Sequence, residues 1–223
     1  MKTHFDNLSE HIPNLKNKKI LDLGSGRGSF LISAAKKGCE VIGLELNSDY
    51  IKVSQQSAID AGVSIEIIKG AAEDMPFSDN SFDFINIAEV IEHVESPELL
   101  LKEVYRVLRP GGSAYISAPN RFGFRDQHFH LYFINWLPRF VSDAFISVFG
   151  EHKDYNDKSA GLQKLKDMHY YTYGSISKLA KAYSFFVKDV REEKINKISK
   201  GKVLIPLYKF LRMVYFCLLY TSD

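Results

Sequence analysis

A glycine-rich turn between an apolar strand and a helix is the feature that most constrains the fold of this chain. The segment 19–30 reads KILDLGSGRGSF, and the apolar Ile20 and Leu21 predict a short buried strand that ends at Asp22. Three alternate glycines follow, which lets the backbone bend sharply and approach a ligand where a Cβ atom would clash. Apolar residues from Phe30 onward recur at helical spacing. A ligand held by the turn would therefore face the start of a helix.

The spacing of the glycines separates two kinds of cofactor site. A dinucleotide site of the G-x-G-x-x-G type needs a glycine at position 29, which is Ser29 here. The order G-x-G-x-G after an acidic residue instead resembles motif I of the class I S-adenosylmethionine-dependent methyltransferases. That resemblance implies that the turn holds the methionine end of S-adenosylmethionine. The implied cofactor-binding residues are Asp22, Gly24, Ser25, Gly26 and Gly28.

An acidic residue stands at the end of the second predicted strand. Residues 40–46 (EVIGLEL) predict this strand, and Glu45 follows Gly26 by 19 residues. In a doubly wound sheet, an acidic residue about 20 positions after the glycine turn accepts hydrogen bonds from the ribose of the ligand. A solvated acid at a strand end is the alternative, but the preceding turn favours the ribose role. We therefore expect Glu45 and the adjacent Leu46 to contact the cofactor.

Another segment of the cofactor site is predicted after the third strand. Residues 70–77 (GAAEDMPF) are similar to the methyltransferase segment G-D-A-E-D-L-P-F, which surrounds the adenine. The resemblance implies two residues at the edge of the base and two that complete the loop, in the order Ala72, Glu73, Asp74 and Met75. Ala71 stands where the family has aspartate, so only its backbone is available to the adenine.

Strand and helix patterns alternate through the first half of the chain, and the predicted order through Pro119 is βαβαβαβαβ. The later strands are predicted at 64–68, 82–87, 113–118 and 185–190, and helices at 3–15, 48–61, 170–183 and after Ser96. The LRPGG before strand five resembles the type 11 methyltransferase group. The predicted fold class is α/β, a Rossmann-like doubly wound sheet of the class I methyltransferases, mostly parallel, with an aromatic helical insertion after strand five.

This pattern predicts a single methyltransferase domain over residues 1–223. Residues 18–118 form its cofactor-binding core, 119–184 the substrate-side insertion and helix, and 185–223 the last strands and a basic, hydrophobic C-terminal segment. Residues 194–216 mix lysines with apolar side chains, which predicts either a seventh strand or an amphipathic segment on an anionic membrane. Residues 217–223 (CLLYTSD) resemble translated sequencing-adapter read-through, which implies that the natural C-terminus is missing.

The candidates for chemistry follow strand four, in the segment that faces the transferred methyl group in this fold. Ala88 and Glu89 are expected to contact the cofactor. Glu89, Glu92 and His93 have the spacing i, i+3, i+4, which places them on one face if the segment is helical. This E-x-x-E-H resembles the metal site of the ubiquinone-pathway O-methyltransferases and the small-RNA 2′-O-methyltransferases. There, two carboxylates and an imidazole hold a divalent ion, usually Mg²⁺.

A second, downstream histidine completes the metal site in the RNA enzymes. His169 stands roughly where it is expected, and His128 and His130 are alternatives that spacing cannot separate. The predicted metal ligands are Glu89, Glu92, His93 and His169. Metal-free relatives also carry E-H-V at this point, so the other interpretation makes His93 a general base or substrate-positioning residue, with Glu92 beside it.

Composition adds hints about partners and compartment. The net charge of +2 divides into −5 over residues 1–119 and +7 over residues 120–223. Cys39 and Cys217 are too few for a disulfide framework, which predicts a cytoplasmic protein, and no apolar run predicts a membrane span. The aromatic insertion, with its PNR start and N-W-L-P stretch, resembles methyltransferases of bacterial surface-polysaccharide and glycolipid pathways. That resemblance implies a sugar or lipid-linked acceptor.

The sequence therefore predicts methylation, at oxygen, of a small-molecule, sugar or lipid-linked acceptor by S-adenosylmethionine. The predicted location is the cytoplasm, at the inner face of the membrane. One alternative is 2′-O-methylation of small RNA, which the E-x-x-E-H favours and the lack of a dense basic patch disfavours, so nucleic acid is not expected as a partner. The other is a catalytically silent S-adenosylmethionine-binding partner of another enzyme. The oligomeric state is not encoded in these patterns.

Overall fold

The computed structural model describes residues 3–10, 12, 15–126, 128–149, 165–190 and 217–222, together with positions 192, 195, 208 and 209. Most of the predicted basic segment 194–216 lies outside these residues. Among the described residues, no helix combines the length and the apolar character needed to cross a membrane.

In the part of the chain that the structure describes, seven strands form one sheet in the order β3-β2-β1-β4-β5-β7-β6. The first five pair in parallel, and β7 runs antiparallel to both β5 and β6. The strands are β1 Lys19–Leu23, β2 Glu40–Glu45, β3 Glu66–Lys69, β4 Phe82–Ala88, β5 Leu108–Ser117, β6 Phe185–Asp189 and β7 Cys217–Ser222. The predicted fold class, a mostly parallel doubly wound sheet, is confirmed.

Six α-helices are found among the described residues: α1 His4–Ser9, α2 Ser29–Lys36, α3 Ser48–Asp60, α4 Pro97–Val107, α5 Arg139–Phe149 and α6 Tyr173–Ala182. Side chains explain where several begin. The Ser96 hydroxyl accepts from the Leu99 N–H at 3.2 Å to cap α4. The cap of α3 is Asn47, because its side chain accepts from the backbone N–H groups of Asp49 and Tyr50.

The structure corrects two predicted elements and two predicted boundaries. β3 and β4 are joined by a loop without the helix implied by strict alternation. The segment after β4 is a turn, not a helix, because Glu89 has a left-handed φ of 58°. α1 ends at Ser9 rather than near residue 15, and β5 begins at Leu108, five residues early, with an irregular register against β4.

The last strand comes from the terminal segment that resembles sequencing-adapter read-through. Cys217–Ser222 form β7, with Tyr115 of β5 paired to Leu219 and Val187 of β6 paired to Tyr220.

Different helices cover the two faces of the sheet, because successive strand residues point to opposite sides. On one face α4 and α6 pack against Leu21, Leu23, Ile85 and Ile87. On the other, α1 and α2 pack against Ile20, Val41, Phe84 and Tyr115. Each large apolar side chain buried in this way contributes about 1.5–3 kcal/mol to folding. The aromatic insertion has its own small core, made of Phe129, Ile134, Ile146, Leu165 and Met168.

A polar pair lies buried in the middle of the sheet. Asp22 of β1 and Asn86 of β4 are register partners, and the Asn86 amide donates to the Asp22 carboxylate at 2.7 Å. His4 of α1 completes the chain, with its Nε2 3.1 Å from Asn86 Oδ1. Burial raises the pKa of Asp22 to about 7, against the lowering effect of the Asn86 hydrogen bond.

Replacing this carboxyl by an amide, Asp22→Asn, is expected to stabilise the protein more at high pH than at low pH. The folded pKa of about 7 lies above the unfolded value of 3.8, so ionised Asp22 destabilises the fold increasingly as pH rises between these values. Each unit of pKa difference corresponds to about 1.4 kcal/mol. Thermal unfolding from about pH 5 to pH 8 should show a difference in Tm between variant and parent that grows with pH and then levels off.

Asp83→Asn is the matched control for this measurement. The pKa of Asp83 is lowered, because hydrogen bonds from Lys19 and Arg109 outweigh its burial. Its effect on Tm should therefore stay constant over the same pH range. A constant effect of Asp22→Asn as well would contradict the raised pKa.

Candidate functional site

The glycine turn sits where β1 and β2 end side by side. The backbone N–H of Gly24 donates to the Leu44 carbonyl at 2.8 Å, which ties the turn to β2. Gly24, Gly26 and Gly28 all have positive φ, between 53° and 77°, where glycine is favoured over other residues. A Cβ atom on Gly24 or Gly28 would collide with Val90 or Ser54, whereas one on Gly26 would meet nothing closer than 3.8 Å. The space beside Gly26 is therefore open to a ligand.

Glu45 connects the end of β2 to this turn. One carboxylate oxygen accepts from the Gly26 N–H at 2.8 Å and the other from the Asn47 N–H at 2.9 Å. Glu45 is buried, while the neighbouring Leu46 is 65% exposed. Each carboxylate oxygen retains acceptor capacity, because it has two lone-pair sites and uses one here. The sequence indicated Glu45 as a ligand-binding acid but missed that it also fixes the turn.

Arg106 of α4 stabilises the loop that was predicted to surround the adenine. Its guanidinium donates to the carbonyls of Phe77 and Met75 at 2.6 and 3.0 Å and forms an ion pair with Glu103 at 2.6 Å. Glu103 in turn accepts from the Met75 N–H at 2.9 Å. Neither Arg106 nor Glu103 was predicted as part of the site, because the sequence does not show which loop a helix residue reaches.

The side chains of that loop take different positions. Met75 is buried in the main core and Ala72 packs against it, so both support the loop from inside. The Glu73 carboxylate accepts from the Glu95 N–H at 2.8 Å, and Asp74 is exposed. The predicted adenine segment is therefore an ordered loop next to the ends of β2 and β3.

Beyond β4, two histidines meet a buried carboxylate. His93 Nε2 lies 3.8 Å and His128 Nε2 3.6 Å from Glu92 Oε1, and the two rings lie edge to face with centroids 4.9 Å apart. One ligand atom from each of the three residues lies within 4.8 Å of the others. We call Glu92, His93 and His128 the histidine–carboxylate cluster.

The second histidine of this cluster is His128, one of the alternatives, and not His169. His169 donates its backbone N–H to the Glu92 carbonyl at 2.9 Å, so it fixes the main chain beneath the cluster. His130, the other alternative, lies in a stretch of left-handed backbone with φ of 58° and is not part of the cluster. Glu89, Glu92 and His93, which were expected on one face of a helix, lie instead in a tight turn.

Glu89 stands beside the cluster at the end of β4, directly after Ala88. Its carboxylate accepts from the Ser117 hydroxyl at 3.2 Å. Partial withdrawal from water, together with the neighbouring Glu92 carboxylate, raises the pKa of Glu89 to about 7. Burial likewise raises the pKa of Glu92 to about 7, although the nearby His93 lowers it. Carboxyl groups with such pKa values exchange protons readily near neutral pH.

Asp126 positions His128 by a hydrogen bond to its backbone. One of its oxygens accepts from the backbone N–H groups of His128 and Phe129, each at 2.8 Å. The other accepts from the Asn135 amide at 2.9 Å and the Tyr170 hydroxyl at 2.6 Å. Asp126 was missed, although aspartate commonly accepts from the backbone N–H two residues later, as in this Asx turn.

Comparison with known proteins agrees with this geometry. Residues 21–116 match the family model for a methyltransferase domain. The chain is 30% identical to a ubiquinone biosynthesis O-methyltransferase of Pseudomonas syringae pv. tomato. The 192 matched residues cover 80% of this chain and 81% of the relative. It is 32% identical over 165 residues to a demethylmenaquinone methyltransferase of Bacillus subtilis, over 70% of each chain.

The fold is also found in solved structures. An S-adenosylmethionine-dependent methyltransferase from Mesorhizobium loti matches with a TM-score of 0.65 at 19% identity, covering 97% of this chain and 95% of that one. This structural similarity shows the fold, whereas sequence identity of 30% over 80% of the chain shows the family. The chain belongs to the class I S-adenosylmethionine-dependent methyltransferases.

Proposed function

We propose that this methyltransferase transfers the methyl group of S-adenosylmethionine to an oxygen of a small aromatic acceptor of the quinone-precursor type. The observation that carries the proposal is the histidine–carboxylate cluster at the carboxyl end of β4, next to the glycine turn. The similarity to the ubiquinone O-methyltransferase of P. syringae supports oxygen as the acceptor atom. It gives no support to an RNA acceptor.

The residues of the turn fit the cofactor. The open space at Gly26 suits close approach of a ligand to bare backbone, and the carboxylate of Glu45 has acceptor capacity for ribose hydroxyls. Asp22 and Ser25 would face the methionine end, and the loop of Ala72–Met75 the adenine. Bound S-adenosylmethionine supplies a methyl group on a sulfonium, which is an activated leaving group.

For methyl transfer, the protein must align the acceptor oxygen with the methyl group and remove one proton from the acceptor. Glu92 and His93 lie at the point where a hydroxyl between β4 and the insertion would lose its proton, and the raised pKa of Glu92 suits a group that accepts one near neutral pH. His128, fixed by Asp126, orients the acceptor from the other side. Because Glu92 is fully buried, the reacting hydroxyl would be shielded from bulk water.

The cluster also fits a divalent ion. Neither carboxylate oxygen of Glu92 meets a well-aligned hydrogen-bond donor among the described residues, although both are buried. Glu92, His93 and His128 would hold the ion, with Glu89 beside them. Such an ion lowers the pKa of an acceptor hydroxyl. Carboxylate oxygens suit Mg²⁺, whereas two imidazoles favour transition metals, so the donor set admits both classes.

We further propose that the enzyme works in the cytoplasm, at the inner face of the membrane, on a lipid-linked acceptor. Support comes from the insertion, where several aromatic side chains are more than half exposed. These are Tyr132, Phe133, Trp136, Phe140 and Phe149. Aromatic side chains presented beside arginines suit the interface of an anionic bilayer.

Cofactor binding can be tested at the open glycine. Gly26→Val adds a branched side chain to the space left for the ligand and is expected to abolish binding of S-adenosylhomocysteine, measured by calorimetry. Gly62→Val is the matched control, because Gly62 also has positive φ, at 67°, and nothing lies within 4 Å of its Cβ position at the end of α3. Parent-like affinity in Gly26→Val would place the cofactor elsewhere.

The acceptor class can be tested directly with cofactor labelled in its methyl group. The purified protein is incubated with separate pools of phenolic quinone precursors, bacterial glycolipids and small RNA. We expect label in the phenolic pool, in a form that resists mild base as an aryl ether does. Label confined to glycolipid or RNA, or transfer to no pool, would overturn the proposed acceptor.

The metal can be tested by removal and return. Chelation is expected to lower turnover at least about tenfold and Mg²⁺, Mn²⁺ or Zn²⁺ to restore it, since the ion would activate the acceptor hydroxyl. Glu92→Gln should not be restored by any of the three ions, while Glu66→Gln, an exposed carboxylate on β3, should respond as the parent does. Turnover unaffected by chelator would remove the ion and leave proton transfer to Glu92 and His93.

A further inference from the structure

Two arginines of the insertion lie close enough to interact, and among the described residues neither has a counterion. Arg121 follows the end of β5, and Arg139 is the first residue of α5. The Nη1 atom of each guanidinium is buried and has no hydrogen-bond partner. Among the described residues, neither arginine forms an ion pair. Burial lowers the pKa of Arg139 and the charge of Arg121 lowers it further, so the two cations are close enough to repel each other.

Both arginines are held in place by their surroundings. The Arg139 guanidinium lies over the ring of Tyr170, 4.9 Å from its centroid, and Arg121 lies 5.7 Å from the centroid of Phe122. The backbone N–H of Arg121 donates to the Tyr171 carbonyl at 2.8 Å. Because the segment 170–171 supports both residues, the pair is built into the fold and is not a chance meeting of surface side chains.

Two acids, Asp126 and Asp143, attract Arg139, but neither forms an ion pair with it among the described residues. Asp126 attracts Arg139, but its two oxygens already accept four hydrogen bonds, from His128, Phe129, Asn135 and Tyr170. A carboxylate has about four lone-pair sites, so its capacity is used. Two partly buried guanidinium groups without a bound anion are costly, since removing a charge from water is compensated only by a partner.

The ring of Tyr170 lies between Arg139 and His128 of the histidine–carboxylate cluster. Tyr170 contacts Arg139 on its face, and its centroid is 6.3 Å from that of the His128 imidazole. A molecule with its hydroxyl at the histidine–carboxylate cluster would thus bring a substituent within reach of the guanidinium groups. Guanidinium forks match the two oxygens of a carboxylate or phosphate.

We propose that Arg121 and Arg139 form a binding site for an oxyanion, a carboxylate or phosphate, carried by the acceptor. This inference rests on the proposed function, because it takes the acceptor to lie at the histidine–carboxylate cluster. The site selects acceptors that bear a negative group and rejects neutral isosteres, which leave two buried cations unpaired. Arg121 and Arg139 are substrate-binding residues, and Tyr170 positions Arg139.

The test compares charged and neutral ligands of the same shape by calorimetry, with S-adenosylhomocysteine present. The probes are 3,4-dihydroxybenzoate against 3,4-dihydroxybenzamide, and phenyl phosphate against phenol. We expect the parent protein to bind an anionic probe about tenfold or more tightly than its neutral counterpart. Preference for the benzoate identifies a carboxylate, preference for phenyl phosphate a phosphate, and inorganic phosphate is titrated alone to reveal a site for the free ion.

Arg121→Gln and Arg139→Gln are expected to lose this preference, and Arg139→Lys to regain part of it. Arg125→Gln is the matched control, because Arg125 belongs to the same insertion and lies over a ring, that of Tyr132, but is exposed. Unchanged affinity for S-adenosylhomocysteine shows that each variant is folded. Equal binding of charged and neutral probes by the parent, or equal loss in Arg125→Gln, would overturn the inference.

Methyl transfer to 3,4-dihydroxybenzoate is measured in parallel, which separates this inference from the proposed function. Anion preference that depends on the two arginines supports the oxyanion site even if no methyl group is transferred. In that case only the assigned reaction fails. Transfer at equal kcat/KM to the benzoate and the benzamide supports the reaction and overturns the oxyanion site.

Discussion

The bridge made by Glu45 is the interaction on which the cofactor side of this molecule depends. Its carboxylate joins the N–H of Gly26 to that of Asn47, and so it fixes the turn after β1 to the cap of α3. Charge-assisted hydrogen bonds of this kind are among the stronger ones in proteins. Because both donors are backbone groups, the same acid that would meet the ribose also shapes the space beside it.

The sequence predicted this half of the site because its signals are local. The glycine turn, the acid 19 residues later and the loop at 70–77 each lie within one βα unit or next to one strand end, and a parallel sheet brings strand ends together. Strand existence followed from apolar runs, and α3 begins at Ser48 as predicted, while other boundaries differ by several residues, as at the start of β5. The cofactor roles of individual residues stay predictions.

The other half depends on contacts distant in sequence, and there local patterns failed. His128 and Glu92 are in contact although all of β5 lies between them in the sequence. Tyr170 likewise donates to Asp126, which is 44 residues away in the chain. Helical spacing suggested one face for Glu89, Glu92 and His93, yet the left-handed backbone at Glu89 turns the chain. The choice among three histidines is made by tertiary packing and by the Asx turn at Asp126, which spacing does not encode.

The antiparallel strand β7 has a consequence for how the sheet assembles. In the described sheet, β6 touches the parallel strands only through β7, which comes later in the chain. The parallel part from β3 to β5 comes from one continuous stretch of the chain, whereas the far edge needs β7, which follows β6 only after residues 190–216. We therefore expect the edge formed by β6 and β7 to open before the parallel strands do.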